Sequence, residues 1–239
     1  MIYNPYPQVD LPFGKDNKYF KILFDAIMKV DESFVRYTNK LGNKKKERTE
    51  HLERVFAYEL YRQWFNLLDA ENIKSLILNA EVHKNLDKDI DYENNNVTEQ
   101  LSVYPDMVLH HSQGDCANQK MICEIKRKEG LNYSKILADL YKLNLYMENI
   151  VVKNGKAFDY GVFILEGGKM AFLKRCLKKK TTTKIMRNDI SIDSFKKNED
   201  DDNENNQFKY HSNHIVCIAY DGTTLEYDTL ANILRALSL

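Results

Sequence analysis

Two short runs of this chain hold residues whose types and spacing can do chemistry. Pro105-Asp106 opens the run M-V-L-H-H, and Glu124-Ile125-Lys126 lies inside M-I-C-E-I-K-R. Side chains of a strand alternate between faces, so Glu124 and Lys126 share one face while Cys123 and Ile125 take the other. A charge on an otherwise apolar strand is costly to bury alone, so a Glu-x-Lys there needs a metal, an ionic partner or a charged substrate beside it. Proline suits the first position of a strand, where its missing N–H does least harm, and Asp106 follows directly. The polar, Gly-containing segment H-S-Q-G-D-C-A-N-Q-K between the two runs reads as a hairpin connection. Asp106 and Glu124 are therefore expected side by side on adjacent strands.

The pattern Pro105-Asp106 followed by Glu124-Ile125-Lys126 resembles the PD-(D/E)XK nuclease superfamily, which has the restriction-endonuclease-like fold. The resemblance implies that Asp106, Glu124 and the backbone carbonyl of Ile125 hold magnesium, and that Lys126 positions or activates the attacking water. Hard carboxylate oxygens suit magnesium or manganese better than zinc. In that family a helix before the sheet often adds a Glu to the metal site. Here Glu59, in Y-E-L-Y-R-Q-W, is the residue so implied, against a plain pairing of Glu59 with Arg62. The segment D-L-Y-K-L is similar to a D-L-x-K-L that follows the catalytic strand in some bacterial members. It implies that Lys142 faces the scissile phosphate and Asp139 orients it; a solvent-exposed i,i+3 pair is the competing reading.

Positioning these residues requires a sheet and its covering helices. Apolar residues at helical spacing predict helices over 16–30 (Tyr19, Phe20, Leu23, Phe24, Ile27, Val30) and 49–68 (Leu52, Val55, Phe56, Leu60, Trp64, Leu67, Leu68). A strand is expected over 75–84, with Glu81 and His83 pointing together, then a polar loop over 87–100. A helix follows the catalytic strand at 133–148, through Ile136, Leu140, Leu143 and Met147, and 158–165 is an apolar run typical of a central strand covered on both faces. Residues 169–184 are the densest basic stretch, and Lys178, Lys179 and Lys180 are its candidates for holding a phosphate backbone. The acidic, low-complexity stretch 194–207 reads as a flexible insertion. A strand at 214–220 and a helix at 227–237 close the chain. This order predicts an α/β fold: a mixed central β-sheet flanked by helices, with a restriction-endonuclease-like core over about 49–165, inside a single domain of 1–239.

The chain has 239 residues and a balanced charge, 35 basic against 35 acidic, so any nucleic-acid surface has to come from local clustering. Four scattered cysteines without CxxC spacing, no leader-like N-terminus and no membrane-length apolar run lead us to expect a soluble, cytoplasmic protein with reduced thiols. No glycine-rich phosphate loop, dinucleotide fingerprint or nucleophile elbow competes. The expected function is metal-dependent hydrolysis of phosphodiester bonds, in DNA rather than RNA, with a homodimer needed to cut both strands together. The alternative is a catalytically silent nuclease-like fold that binds nucleic acid or protein, which the neutral composition favours. A zinc site from His110, His111, Cys116 and Cys123, or one using His211 and His214, ranks below both because the spacing is irregular.

Overall fold

The structure is a computed structural model. It describes residues 2–3, 12–35, 45–80, 84–92, 95–103, 105–111, 119–147, 158–179, 181–185, 188–196 and 210–237. For 45–52, 84–92 and 95–103, and at positions 3, 188 and 196, the backbone alone is described. In chain order come β1 (Ile2–Tyr3), a 3-10 turn (Gly14–Asp16), α1 (Asn17–Met28), α2 (Glu32–Val35) and α3 (Lys45–Ala70). The strands β2 (Leu76–Ala80), β3 (Lys84–Tyr92), β4 (Asn95–Val103), β5 (Met107–His111) and β6 (Gln119–Arg127) follow. Then come α4 (Tyr133–Met147), β7 (Tyr160–Glu166), α5 (Met170–Leu177), β8 (Thr183–Ile185), β9 (Asn188–Ile190) and a 3-10 helix (Ile192–Lys196). The last elements are β10 (Ile215–Tyr220), β11 (Leu225–Thr229) and α6 (Leu230–Leu237).

Seven strands form one mixed sheet in the order β1-β11-β10-β7-β6-β5-β2. The three central strands β6, β7 and β10 run parallel, and antiparallel partners extend the sheet on both sides. Parallel neighbours need a crossover, and α4 supplies it between β6 and β7. The fold is thus α/β with helices on both faces, as the element order implied. The alternation along each central strand decides which side chain goes where. Cys123, Ile125, Val162, Ile164, Val216 and Ile218 join one core with Phe20, Leu23 and Phe24 of α1 and Phe56, Leu60 and Trp64 of α3. Ile122, Phe163, Leu165, Ile215 and Cys217 join a second core with α4, α5 and α6. Fully buried side chains such as Phe20, Phe24, Phe56 and Leu60 each contribute roughly 1.5–3 kcal/mol relative to exposure.

Close approach of α4 to the sheet depends on Gly161. A Cβ there would lie 3.0 Å from Leu143 Cβ and 3.1 Å from Met147 Sδ. This contact sets how closely α4 packs on β7, the strand beside β6.

Three expectations need correction, and one stretch that carried no assigned element gains its elements. The polar stretch 87–100 is not a loop: it lies in an antiparallel pair, β3 with β4, in which Ile90 faces Val97 and Leu86 faces Leu101. The period-two pattern of Leu86, Ile90 and Tyr92 interleaved with Asp87, Asp89 and Asp91 is a strand signal that the acidic composition obscured. The basic segment 169–184 contains the helix α5 and then a short antiparallel pair, β8 with β9. Ser194, Phe195 and Lys196 belong to a 3-10 helix whose Phe195 is fully buried, so these three residues are part of the fold, while 197–207 of the stretch taken for an insertion lie outside the described residues. Residues 225–229 form the strand β11, and the closing helix begins only at Leu230. Glu81 and His83 lie outside the described residues. Among the described residues no helix is long and apolar enough to cross a membrane.

Candidate active site

The antiparallel pairing of β5 with β6 sets Met107 opposite Cys123, which brings Asp106 level with Glu124. Asp106 N donates to the Cys123 carbonyl at 3.1 Å, and Ile125 N donates to Asp106 Oδ2 at 2.6 Å. The carboxylate of Asp106 is thereby fixed against the edge of β6, as the Pro-Asp start of a strand predicts. Glu124 points to the α4 side and is 1 % exposed.

A tight turn joins β6 to α4. Gly130 adopts φ 79°, and Asn132 caps the helix by accepting from Lys135 N at 3.0 Å. The helix then turns Asp139 and Lys142, three residues apart, inward rather than to solvent. Lys142 Nζ lies 3.0 Å from Glu124 Oε2 and 2.9 Å from Asp139 Oδ1. The exposed-pair reading of D-L-Y-K-L is therefore excluded. Lys126 Nζ donates to its neighbour's carbonyl, Ile125 O, at 2.9 Å. It also lies 3.5 Å from Glu124, 3.7 Å from Glu53 and 3.8 Å from each of Asp106 and Asp139.

The helix contribution comes from Glu53, not from Glu59. Glu53 Oε2 accepts from Arg127 N at 3.0 Å, while Glu59 is held on its own helix by Arg62 at 2.6 Å and Gln63 at 2.7 Å. The reason is helical phase. Among the described side chains of α3, Phe56, Leu60 and Trp64 are fully buried. Glu53 continues that line one turn toward the N-terminus, whereas Glu59 flanks it. The signal was present in the sequence as the position three before Phe56.

Four carboxylates (Glu53, Asp106, Glu124, Asp139) thus face two ammonium groups (Lys126, Lys142), an excess of two negative charges. Burial raises the pKa of Glu124 to about 7 and lifts Asp106 and Glu53 as well, against the opposing pull of the lysines. Burial pulls Lys126 and Lys142 down, yet the surrounding carboxylates outweigh it and both stand above the ordinary lysine value. Both lysines are therefore charged at neutral pH. Glu124 Oε1 and Asp139 Oδ2 are buried without a hydrogen-bond partner. A buried carboxylate oxygen of this kind is costly to leave unpartnered.

Among the described residues no group of three or more His, Cys, Asp or Glu side chains is arranged to hold a metal ion on its own. The donors that fit a hard divalent cation are two carboxylates, Asp106 and Glu124, with the Ile125 carbonyl. An unpartnered Glu124 oxygen and the net negative charge are what such an ion would satisfy.

Of the remaining candidates, Lys178 and Lys179 are exposed just beyond α5, and Lys180 lies outside the described residues. Among the described residues the zinc grouping does not assemble. Cys123 is buried in the core under α1 and α3, His110 is held by Asn79 at 2.7 Å and by the His111 carbonyl at 2.6 Å, and Cys116 lies outside the described residues. His214 stacks on Tyr160, with ring centroids 5.6 Å apart.

Behind the site, on the opposite face of β6, Arg127 pairs with Glu166 of β7 at 2.6 Å, and both are buried. Burial raises the pKa of Glu166 to about 8, with Arg127 opposing. A Glu in the unfolded chain titrates near 4.5. Between that value and the raised folded values of Glu124 and Glu166, the folded state binds protons that the unfolded state does not, so stability falls as pH rises. Urea unfolding in chelator is expected to show a loss of the order of a few kcal/mol from about pH 5 to pH 8. Glu124→Gln with Glu166→Gln should flatten that slope; a stability that rises over the window would contradict the burial of these groups.

Comparison of the chain with protein-family models, with curated proteins and with solved structures finds no match.

Proposed function

We propose that this chain is a metal-dependent nuclease of the PD-(D/E)XK type that hydrolyses phosphodiester bonds of nucleic acid, DNA in the first place. The observation that carries this reading is the pairing of Asp106 with Glu124 on adjacent strands. A lysine two residues on bonds the intervening carbonyl, and one Glu124 oxygen is buried without a partner.

Asp106, Glu124 and the Ile125 carbonyl would hold magnesium or manganese. Such an ion, when bound, neutralises charge on the phosphoryl oxygens and makes water more acidic. The protein's own groups do the rest. Lys126 is held protonated by its four carboxylate neighbours, so it serves as a donor that orients the attacking water and stabilises charge building on the phosphoryl oxygens, not as a base. Glu53, at the rim with its pKa raised by burial, is the carboxylate suited to take the proton that water gives up. Lys142, fixed by Asp139, supplies a second positive charge toward the phosphate.

The competing reading is a binding module that has kept a nuclease-like frame. It has to explain four clustered carboxylates, two of them almost fully buried, which lower stability unless they have a task. The deciding experiment is a calorimetric titration of the purified protein with magnesium and manganese, beside a cleavage assay on plasmid and oligonucleotide DNA with and without chelator. Cation binding together with chelator-sensitive cutting is expected. A folded protein that neither binds the ions, with or without DNA, nor cuts any nucleic acid offered would leave the binding module standing.

A further inference from the structure

We propose that the exposed face made by Lys128, Phe172, Arg175, Lys178 and Lys179 grips the phosphate backbone of the nucleic-acid strand where it leaves the cleavage site. The proposal rests on the nuclease reading of that site and adds the track the substrate follows. Strand alternation puts Glu124, Lys126 and Lys128 on one face, so Lys128 is the next outward step in the row that contains the catalytic lysine. The strand pairing persists that far, because Lys128 N still donates to the Glu166 carbonyl at 2.9 Å.

From Lys128 the positive surface passes to α5. Lys128 Nζ lies 5.8 Å from the centroid of the Phe172 ring and Arg175 Cζ lies 5.7 Å from it. One half-buried ring thus organises two cations from different elements. Phe172, Arg175 and Lys179 recur at helical spacing along the same side, with exposed Lys178 beside them.

Compensation separates these cations from their neighbours. Lys169 pairs with Asp221 at 3.6 Å and Lys174 with Asp228 at 3.9 Å. Among the described residues, no carboxylate pairs with Lys128, Arg175, Lys178 or Lys179. In a chain with no net charge, uncompensated cations that continue from Lys128, at the end of the strand carrying Lys126, onto α5 form a local anion track rather than a general basic field. Their ligand is a run of phosphates, so recognition is independent of base sequence.

The test measures binding of fluorescein-labelled DNA to a cleavage-silent Asp106→Asn protein across a series of salt concentrations. Adding Lys128→Glu and Arg175→Glu is expected to weaken binding by roughly tenfold or more and to lower the slope of log affinity against log salt by about two. A control carrying Lys18→Glu and Lys21→Glu on the exposed side of α1 makes the same change in net charge and should bind like its parent. Unchanged affinity and slope in the first variant, or equal loss in the control, overturns the proposal. Metal titration and cutting by the wild-type protein are scored separately. If charge reversal abolishes binding in a protein that never cuts, the track stands and the nuclease reading falls. If the protein cuts but charge reversal leaves binding unchanged, the site stands and the track falls.

Discussion

Glu124→Gln and Lys126→Met are each expected to reduce cleavage by roughly 10²–10³-fold or more, while moving cation affinity in opposite directions. Glutamine keeps the shape of Glu124 and its distance from Lys142 but removes the negative charge that a divalent ion requires. Magnesium binding should therefore be lost in calorimetry. The fold should survive, because the change relieves part of the excess negative charge in a cluster where burial already raises the pKa of the Glu124 carboxyl. Methionine at 126 does the reverse. It removes an ammonium group that lies within 3.8 Å of all four carboxylates and takes the Ile125 carbonyl as acceptor. A unit charge at about 4 Å opposes an incoming divalent cation by about 8 kcal/mol, twice the value for two unit charges, at an effective dielectric constant of ~20, so affinity should rise by at least about tenfold even after generous screening. Without added metal the same variant should be less stable than the parent, since the carboxylates lose their main counter-ion; magnesium should restore it. If Lys126→Met binds magnesium no better than the wild type, the ammonium and the ion do not compete for the same oxygens, and the assignment of Asp106, Glu124 and the Ile125 carbonyl as ligands is wrong.

The parts of this site that could be read in the sequence are those fixed by local geometry. The placement of Asp106 beside Glu124 follows from a Pro-Asp strand start and the period-two alternation of M-I-C-E-I-K-R, both properties of a few consecutive residues. Asp139 and Lys142 were singled out by the resemblance of D-L-Y-K-L to a segment of some bacterial nucleases, since their helical spacing alone suits a solvent-exposed pair equally well. What was missed depends on phase or on tertiary pairing. Glu53 and Glu59 both sit on α3, and composition cannot choose between them. The line of fully buried Phe56, Leu60 and Trp64 does, and extending it by one turn reaches Glu53. The strands over 84–103 were hidden because acidic residues mask a strand when polarity is weighed ahead of alternation. The pair of Arg127 with Glu166 joins residues far apart in the chain through the parallel register of β6 and β7, which no local pattern encodes.

That pair carries the largest expected effect on stability. Glu166→Leu should cost roughly 3–5 kcal/mol in urea unfolding, because it leaves a buried guanidinium that cannot shed its proton. Arg127 would retain only the exposed Glu129 at 2.8 Å and the Val35 carbonyl at 3.2 Å. Arg127→Met should cost less, since the Glu166 carboxyl left behind has a raised pKa and can be buried as the neutral acid. Its penalty should grow as pH rises above about 8, where the wild-type carboxyl ionises beside Arg127 while the orphaned one, its pKa raised further by loss of that cation, stays protonated. The double variant Arg127→Met with Glu166→Leu replaces two buried charges with apolar groups and should recover most of the loss. A double variant as unstable as Glu166→Leu alone would mean that the pair holds the ends of β6 and β7 by a geometry that apolar side chains cannot replace. Cation binding separates this frame from the chemistry it supports. Glu53 is held by the backbone N–H of Arg127, not by its side chain. Magnesium affinity should therefore be unchanged in the double variant, even though the altered residue is next to Lys126.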